Sequence, residues 1–171
     1  MVVLRPTRRL RTWLPVTGTA PVVSDTALGD WYVNRIVVDR RPLLLLVSSA
    51  SLLGVLVPAR HVRELPGRLP AIVESRLRRC GIAPATIDAE KRAMARVVTG
   101  PTVDRSVLGI MVDFANAVPY HLEPGRWDEA TLLSVEDRLA ENPCYAGRRG
   151  DAVVFPARRA AEVLSSKWGT G

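Results

Sequence analysis

The sequence predicts an α+β protein, a small antiparallel sheet drawn mostly from the N-terminal half and covered by helices from the C-terminal half. Three observations predict it. The uncharged run 42–59 splits into two apolar pieces of strand length, 43–47 and 52–57, around a polar turn at 48–51. Upstream of it, Trp31, Tyr32, Val33, Ile36, Val37 and Val38 have the composition of a strand. Downstream of Pro70, apolar residues return at three- and four-residue spacing in one segment after another.

The uncharged run also raises the question of a membrane. It approaches the ~20 apolar residues that a spanning helix needs, and arginines flank it. Ser48, Ser49 and Ser51 lie near its middle, where a lipid-facing helix is driest, and Gly54 and Pro58 weaken its second half. A buried hairpin, apolar on both faces, fits better.

The elements follow in order. Residues 1–4 suit a short strand. Residues 7–14 suit one or two basic helical turns with Leu10, Trp13 and Leu14 on one side. Residues 15–26 are rich in Pro, Gly, Ser and Thr and predict a loop. Residues 28–39 form the strand already described, and Arg40, Arg41 and Pro42 turn the chain into the hairpin, completing an antiparallel meander. A helix then starts at Pro70, a favourable first helical residue, buries Leu69, Ile72, Val73, Leu77 and Cys80, and leaves Glu74, Arg76, Arg78 and Arg79 solvated. Gly81 ends it. A second helix from Pro84 turns Ile87, Met94 and Val98 inward. A third, near Ser106, has the stripe Val107, Ile110, Met111, Phe114 and Val118. A turn follows at 123–126. A fourth helix over 128–142 is capped by Asp128 and faces Leu132, Leu133 and Leu139 inward. A basic loop at 147–150, a short strand at 152–155, a helix at 157–168 and a frayed tail at 169–171 complete one globular domain, 1–168.

Composition bounds the chemistry. Hydrophobic residues make up 47% and charged residues 24%, values ordinary for a globular chain. The formal net charge of +7 points to an acidic partner, nucleic acid or an acidic protein. All but two of the 24 basic residues are arginine, Lys91 and Lys167 being the exceptions. That bias also fits the codon usage of a GC-rich genome, which gives the charge a second explanation. Cys80 and Cys144 are too few for a disulfide framework and lack metal spacing. With no secretory signal in the sequence, a cytoplasmic location is expected.

No phosphate-cradling glycine loop and no nucleophile elbow occurs, and the two histidines, His61 and His121, have no further ligands at metal spacing. No metal or cofactor is expected. The most distinctive segment is Thr102-Val-Asp-Arg-Ser-Val-Leu-Gly109. Asp104 or Ser106 caps the third helix there, Arg105 suits an anion contact at its N-terminus, and Gly109 suggests a close approach. Ser106, Gly109, Asp113, Asn116 and Tyr120 form a polar stripe opposite the core. On the strand, Tyr32 and Asn34 share a face and are candidates to line a site.

Ordered landmarks connect these segments. Leu4-Arg-Pro-Thr-Arg-Arg-Leu10 is followed by Leu28-Gly-Asp-Trp-Tyr-Val-Asn34, then Arg40-Arg41, the run to Ala59, Gly81-Ile82, Asp104-Arg-Ser-Val-Leu-Gly109 and a late Arg-Leu-Ala-Glu-Asn-Pro-Cys144. Over residues 1–145 the chain resembles a bacterial family known as domain of unknown function 6933. The resemblance implies a soluble bacterial protein and brings no activity with it. The chain departs from the family pattern at Ser48 and Ser49, where relatives show Asn with an acidic residue, and at Val112, where they often show Asn.

The leading functional expectation is a non-enzymatic binding module with a basic surface. Its contacts would come from Arg5, Arg8, Arg9 and Arg11, with Tyr32, Asn34, Arg105, Ser106 and Asp113 as further candidates. The alternative is a small metal-independent hydrolase or nuclease, toxin-like, working near Ser106 with Arg105, Asp113 and His121; a ribonuclease set of His121, Arg105 and Tyr120 is a thinner variant. The apolar hairpin strands also allow a homodimer through a sheet edge. No membrane association is expected.

Overall fold

The structure, a computed structural model, describes residues 1–18, 21–123, 125, 128–145 and 153–169. The predicted basic loop at 147–150, Ala152, the last two residues of the tail and parts of the turn at 123–126 lie outside them.

A five-stranded sheet forms the middle layer. Its strands are β1 (Val2–Pro6), β2 (Trp31–Val38), β3 (Arg41–Ser48), β4 (Gly54–Pro58) and β5 (Val97–Thr99), in the order β4-β3-β2-β1-β5. The predicted hairpin is present: β3 pairs antiparallel with β2 on one side and β4 on the other. Asp39 and Arg40 both have positive φ, as a two-residue turn matched to strand twist requires. The sheet is mixed rather than wholly antiparallel, because β1 runs parallel to both β2 and β5. The long connection between β1 and β2 exceeds the dozen residues that a parallel return needs, so the chain comes back to the same end of the sheet.

Helices cover both faces. They are α1 (Leu65–Arg79), α2 (Pro84–Ala93), α3 (Arg105–Ala117), α4 (Glu129–Glu141) and α5 (Pro156–Trp168). Alternation along the strands sorts the core. Trp31, Val33, Leu44, Leu46 and Val55 meet Leu69, Val73 and Leu77 of α1, Ile87 of α2 and Leu164 of α5. Tyr32, Ile36, Leu43, Leu45, Val47 and Leu56 meet Val107, Ile110, Met111 and Phe114 of α3 and Leu132, Val135 and Leu139 of α4. Residues 43–47 are therefore apolar throughout because β3 is buried from two sides. No helix among the described residues is long and apolar enough to cross a membrane.

Several local expectations change. Helix α1 begins at Leu65, after a 3-10 segment (Ala59–Glu64), and Pro70 lies inside it. Helix α2 ends at Ala93; Val98 belongs to β5, whose pairing with β1 outweighs continued helix. Leu10 and Leu14 are buried, while Trp13 and Leu133 are exposed. Arg76, expected in solvent, is 1% exposed. A short ribbon of β6 (Cys144–Tyr145) and β7 (Val153–Val154) precedes α5.

Candidate arginine-lined binding surface

The residues singled out from the sequence separate into three groups. Arg5 is structural. Its guanidinium pairs through Nε with Asp30 and donates to the Pro101 carbonyl at 2.6 Å and the Val22 carbonyl at 2.9 Å. It is 6% exposed, so it is not available for surface contact. The β1 strand on which it lies is buried along its length, and the charge is held there by the partly buried carboxylate of Asp30. Tyr32 is also buried; its hydroxyl accepts from Asp104 N at 2.9 Å and from Val103 N at 3.4 Å, tying β2 to the start of α3. Asn34 accepts from the Thr7 hydroxyl at 2.8 Å. Both Tyr32 and Asn34 therefore have structural partners rather than an open site. Ser49 belongs to the same framework, accepting from Asp30 N at 2.8 Å, as does Ser48, which donates to the Leu28 carbonyl at 2.6 Å. The landmarks at 4–10, 28–34 and 48–49 thus form one polar lattice that joins β1, β2 and the hairpin turn.

The second group surrounds α3. Asp104 caps the helix, accepting from Ser106 N at 2.8 Å and Ser106 Oγ at 2.6 Å. Arg105, Ser106, Gly109, Asp113, Asn116 and Tyr120 are exposed, as the polar stripe requires. Among the described residues nothing lies within 4 Å of a Cβ built on Gly109, so no other helix makes the close approach there. Ser106 and His121 lie at opposite ends of α3 and its 3-10 extension (Val118–His121), roughly 20 Å apart along the axis. The proposed hydrolytic set does not converge.

The third group, Arg8, Arg9 and Arg11, is exposed on and beside a 3-10 turn (Arg8–Leu10) that packs along β2. This turn leads to a surface that the sequence did not identify. Three adjoining depressions share Arg60. The first, about 520 Å³, is bordered by Leu10, Trp13, Arg35, Pro42, Arg60 and Arg63. The second lies over Arg41, Pro58 and Glu129. The third, about 530 Å³, is a cleft between α1, β4 and α4. Trp13 is 41% exposed, and Arg8, Arg9, Arg11, Arg35 and Arg63 have no carboxylate partner among the described residues.

The cleft is built on a buried ion cluster. Glu136, on the apolar stripe of α4, accepts from Leu56 N of the edge strand β4 at 2.7 Å and pairs with Arg79. Arg76 donates to Asp137 Oδ1 at 2.7 Å and to the Glu136 carbonyl at 2.9 Å. The edge amide of Leu56 is therefore taken by a carboxylate of the same chain, which occupies the middle of the edge that a dimer would use. Burial pushes the Glu136 carboxyl above the ordinary glutamate range; the Leu56 N–H and Arg79 oppose the shift without cancelling it. Sequence reasoning missed this cluster because it placed Glu74, Arg76, Arg78 and Arg79 in solvent. The signal was present: Arg76 stands three residues after Val73, and Glu136 stands between Leu132 and Leu139, both on core-facing positions.

The model of the family Domain of unknown function (DUF6933) matches residues 3–159, and the chain belongs to that family. No curated protein and no solved structure matches it.

Proposed function

We propose that this member of the DUF6933 family is a non-enzymatic binding module that takes single-stranded nucleic acid across the depression at Trp13. The observation that carries the reading is one exposed indole beside Arg35 and Arg63, both unpaired among the described residues, in a single concave surface. A base has a π-face that stacks on an aromatic ring, while arginines neutralise its phosphates. Arg8, Arg9 and Arg11 extend the positive field along the adjacent turn and give the backbone a track. The overall charge of +7 supports attraction from a distance.

Labelled mixed-sequence RNA and DNA single strands, titrated at several salt concentrations, test this reading. The expected result is binding that weakens steeply with salt, with a logarithmic slope of roughly −0.7 per phosphate neutralised. Trp13→Ala is expected to lose about 1–3 kcal/mol, as the removal of a stacking ring does. Replacing Arg8, Arg9 and Arg11 by alanine is expected to flatten the salt slope. No binding at low salt overturns the reading and leaves the arginines as genome composition. Equal affinity for polyglutamate, unchanged in Trp13→Ala, favours an acidic protein instead.

A further inference from the structure

The second depression holds a group that a plain polyanion track does not need, an exposed carboxylate. It shares Pro42, Ala59 and Arg60 with the Trp13 depression, so the two adjoin. Its lining is apolar at Leu43, Pro58 and Leu132, with Arg60 and Glu129 among its polar members. Its other carboxylate, Asp128, serves as the α4 cap and accepts from Thr131 N at 3.0 Å. The Glu129 side chain is 74% exposed, and its Oε1 accepts from Arg60 Nη2 at 3.1 Å. Arg60, 68% exposed, is held a second time, its Nε donating to His61 Nε2 at 3.1 Å. Both side chains are thus accessible and oriented. Among the described residues, Arg60 Nη1 and Glu129 Oε2 have no further partner. A donor-only group and an acceptor-only group stand side by side within an apolar lining.

We infer that this depression reads the base next to the one stacked on Trp13 and selects guanine. The inference rests on the single-strand reading above. An unstacked base laid against the apolar lining offers its Watson–Crick edge to the polar side chains. Guanine is the base whose edge carries two adjacent donors, N1–H and the N2 amine, beside one acceptor, O6. The Glu129 carboxylate accepts from both donors, and Arg60 Nη1 donates to O6. Adenine and cytosine present one amine next to a bare ring nitrogen. Uracil presents one donor between two carbonyls. Each of these three sets an acceptor against Glu129, where no hydrogen bond forms. The volume, about 440 Å³, lies within the range that small-ligand sites occupy.

Labelled uridine heptamers are the probes, with guanosine, adenosine, cytidine or uridine at the central position, titrated by fluorescence anisotropy into the intact protein at one salt concentration. The guanosine strand is expected to bind roughly 5- to 150-fold tighter than the other three, the discrimination of one bidentate pair. Inosine at the same position, which lacks the N2 amine, is expected to lose most of that gain. Glu129→Gln, at an exposed position, is expected to bring the four strands to similar affinities with an unchanged melting temperature of the free protein. Trp13→Ala is expected to weaken all four and keep guanosine first. Equal affinities in the parent overturn the inference and leave the single-strand reading standing, with Glu129 serving the α4 helix dipole alone. A preference for another base, or one for guanosine that survives Glu129→Gln, overturns it too. Failure of every strand to bind overturns the single-strand reading itself, and this inference with it.

Discussion

Replacing Arg5 by methionine is the most direct test of the frame that supports both surfaces. The guanidinium is 6% exposed and faces Asp30, whose side chain is also largely buried. Methionine keeps much of the side-chain length and removes the charge, leaving Asp30, among the described residues, with the Ser24 hydroxyl at 2.6 Å as its side-chain partner. Breaking a buried pair from one side costs about 3–5 kcal/mol, because an ion is stranded away from water. The carbonyls of Val22 and Pro101 also lose their donor, but water reaches that loop and replaces part of the loss. The expected loss is therefore about 4 kcal/mol, a large share of the 5–15 kcal/mol typical of a folded chain. At roughly 2–4 °C per kcal/mol for a protein of this size, the melting temperature falls by about 8–16 °C. Urea unfolding followed by circular dichroism measures it, with Arg9→Met as the surface comparison, expected within about 0.5 kcal/mol of the parent. Asp30→Asn in the Arg5→Met background is expected to recover part of the loss, since no buried charge is then left alone. A loss below about 1 kcal/mol for Arg5→Met, matching Arg9→Met, refutes the structural role.

Other positions make independent predictions. Gly109→Ala is expected to stabilise the protein by about 1 kcal/mol, because α3 gains propensity and the new Cβ meets nothing; a destabilised variant indicates a contact at that face. Glu136→Gln changes the pH dependence. The folded carboxyl is raised above its unfolded value, so its favourable contribution is complete below the ordinary glutamate range and is lost as pH rises through the folded value. The variant, compared with the parent by urea unfolding from pH 4 upward, is expected to lack that decline; a parent whose stability rises relative to the variant contradicts it. The Cys144 thiol, pushed up to about 11 chiefly by burial and further by Asp113, is expected to resist iodoacetamide at pH 8 until the chain unfolds. Rapid labelling of Cys144 in the native protein would show that the thiol is open to solvent.

Much of the fold was legible because local rules and burial agree. The hairpin could be read from its continuous apolar run, α3 from its stripe and Asp104 cap, and α4 from Asp128, which forms a capping box with Thr131. Trp31 and Tyr32 alternate across the sheet as strand geometry dictates. These features depend on neighbours a few residues apart, where sequence spacing is spatial spacing.

The binding surface was not legible in that way. Arg5 and Arg76 have the same chemistry as Arg9 and Arg63, yet the first two are buried and the others exposed. What separates them is a partner distant in sequence: Asp30 for Arg5, and Asp137 with the Glu136 carbonyl for Arg76. A charge enters a core only where another group compensates it, and only the packing of α1 against α4 and of β1 against β2 brings those groups together. The sequence by itself determined the α+β class, the hairpin and most helices, because periodicity selects the face that is buried. The tertiary structure alone decided that β1 pairs parallel, that a carboxylate covers the edge strand, and that Trp13, Arg35, Arg60 and Arg63 share one surface, because each depends on how distant segments cross.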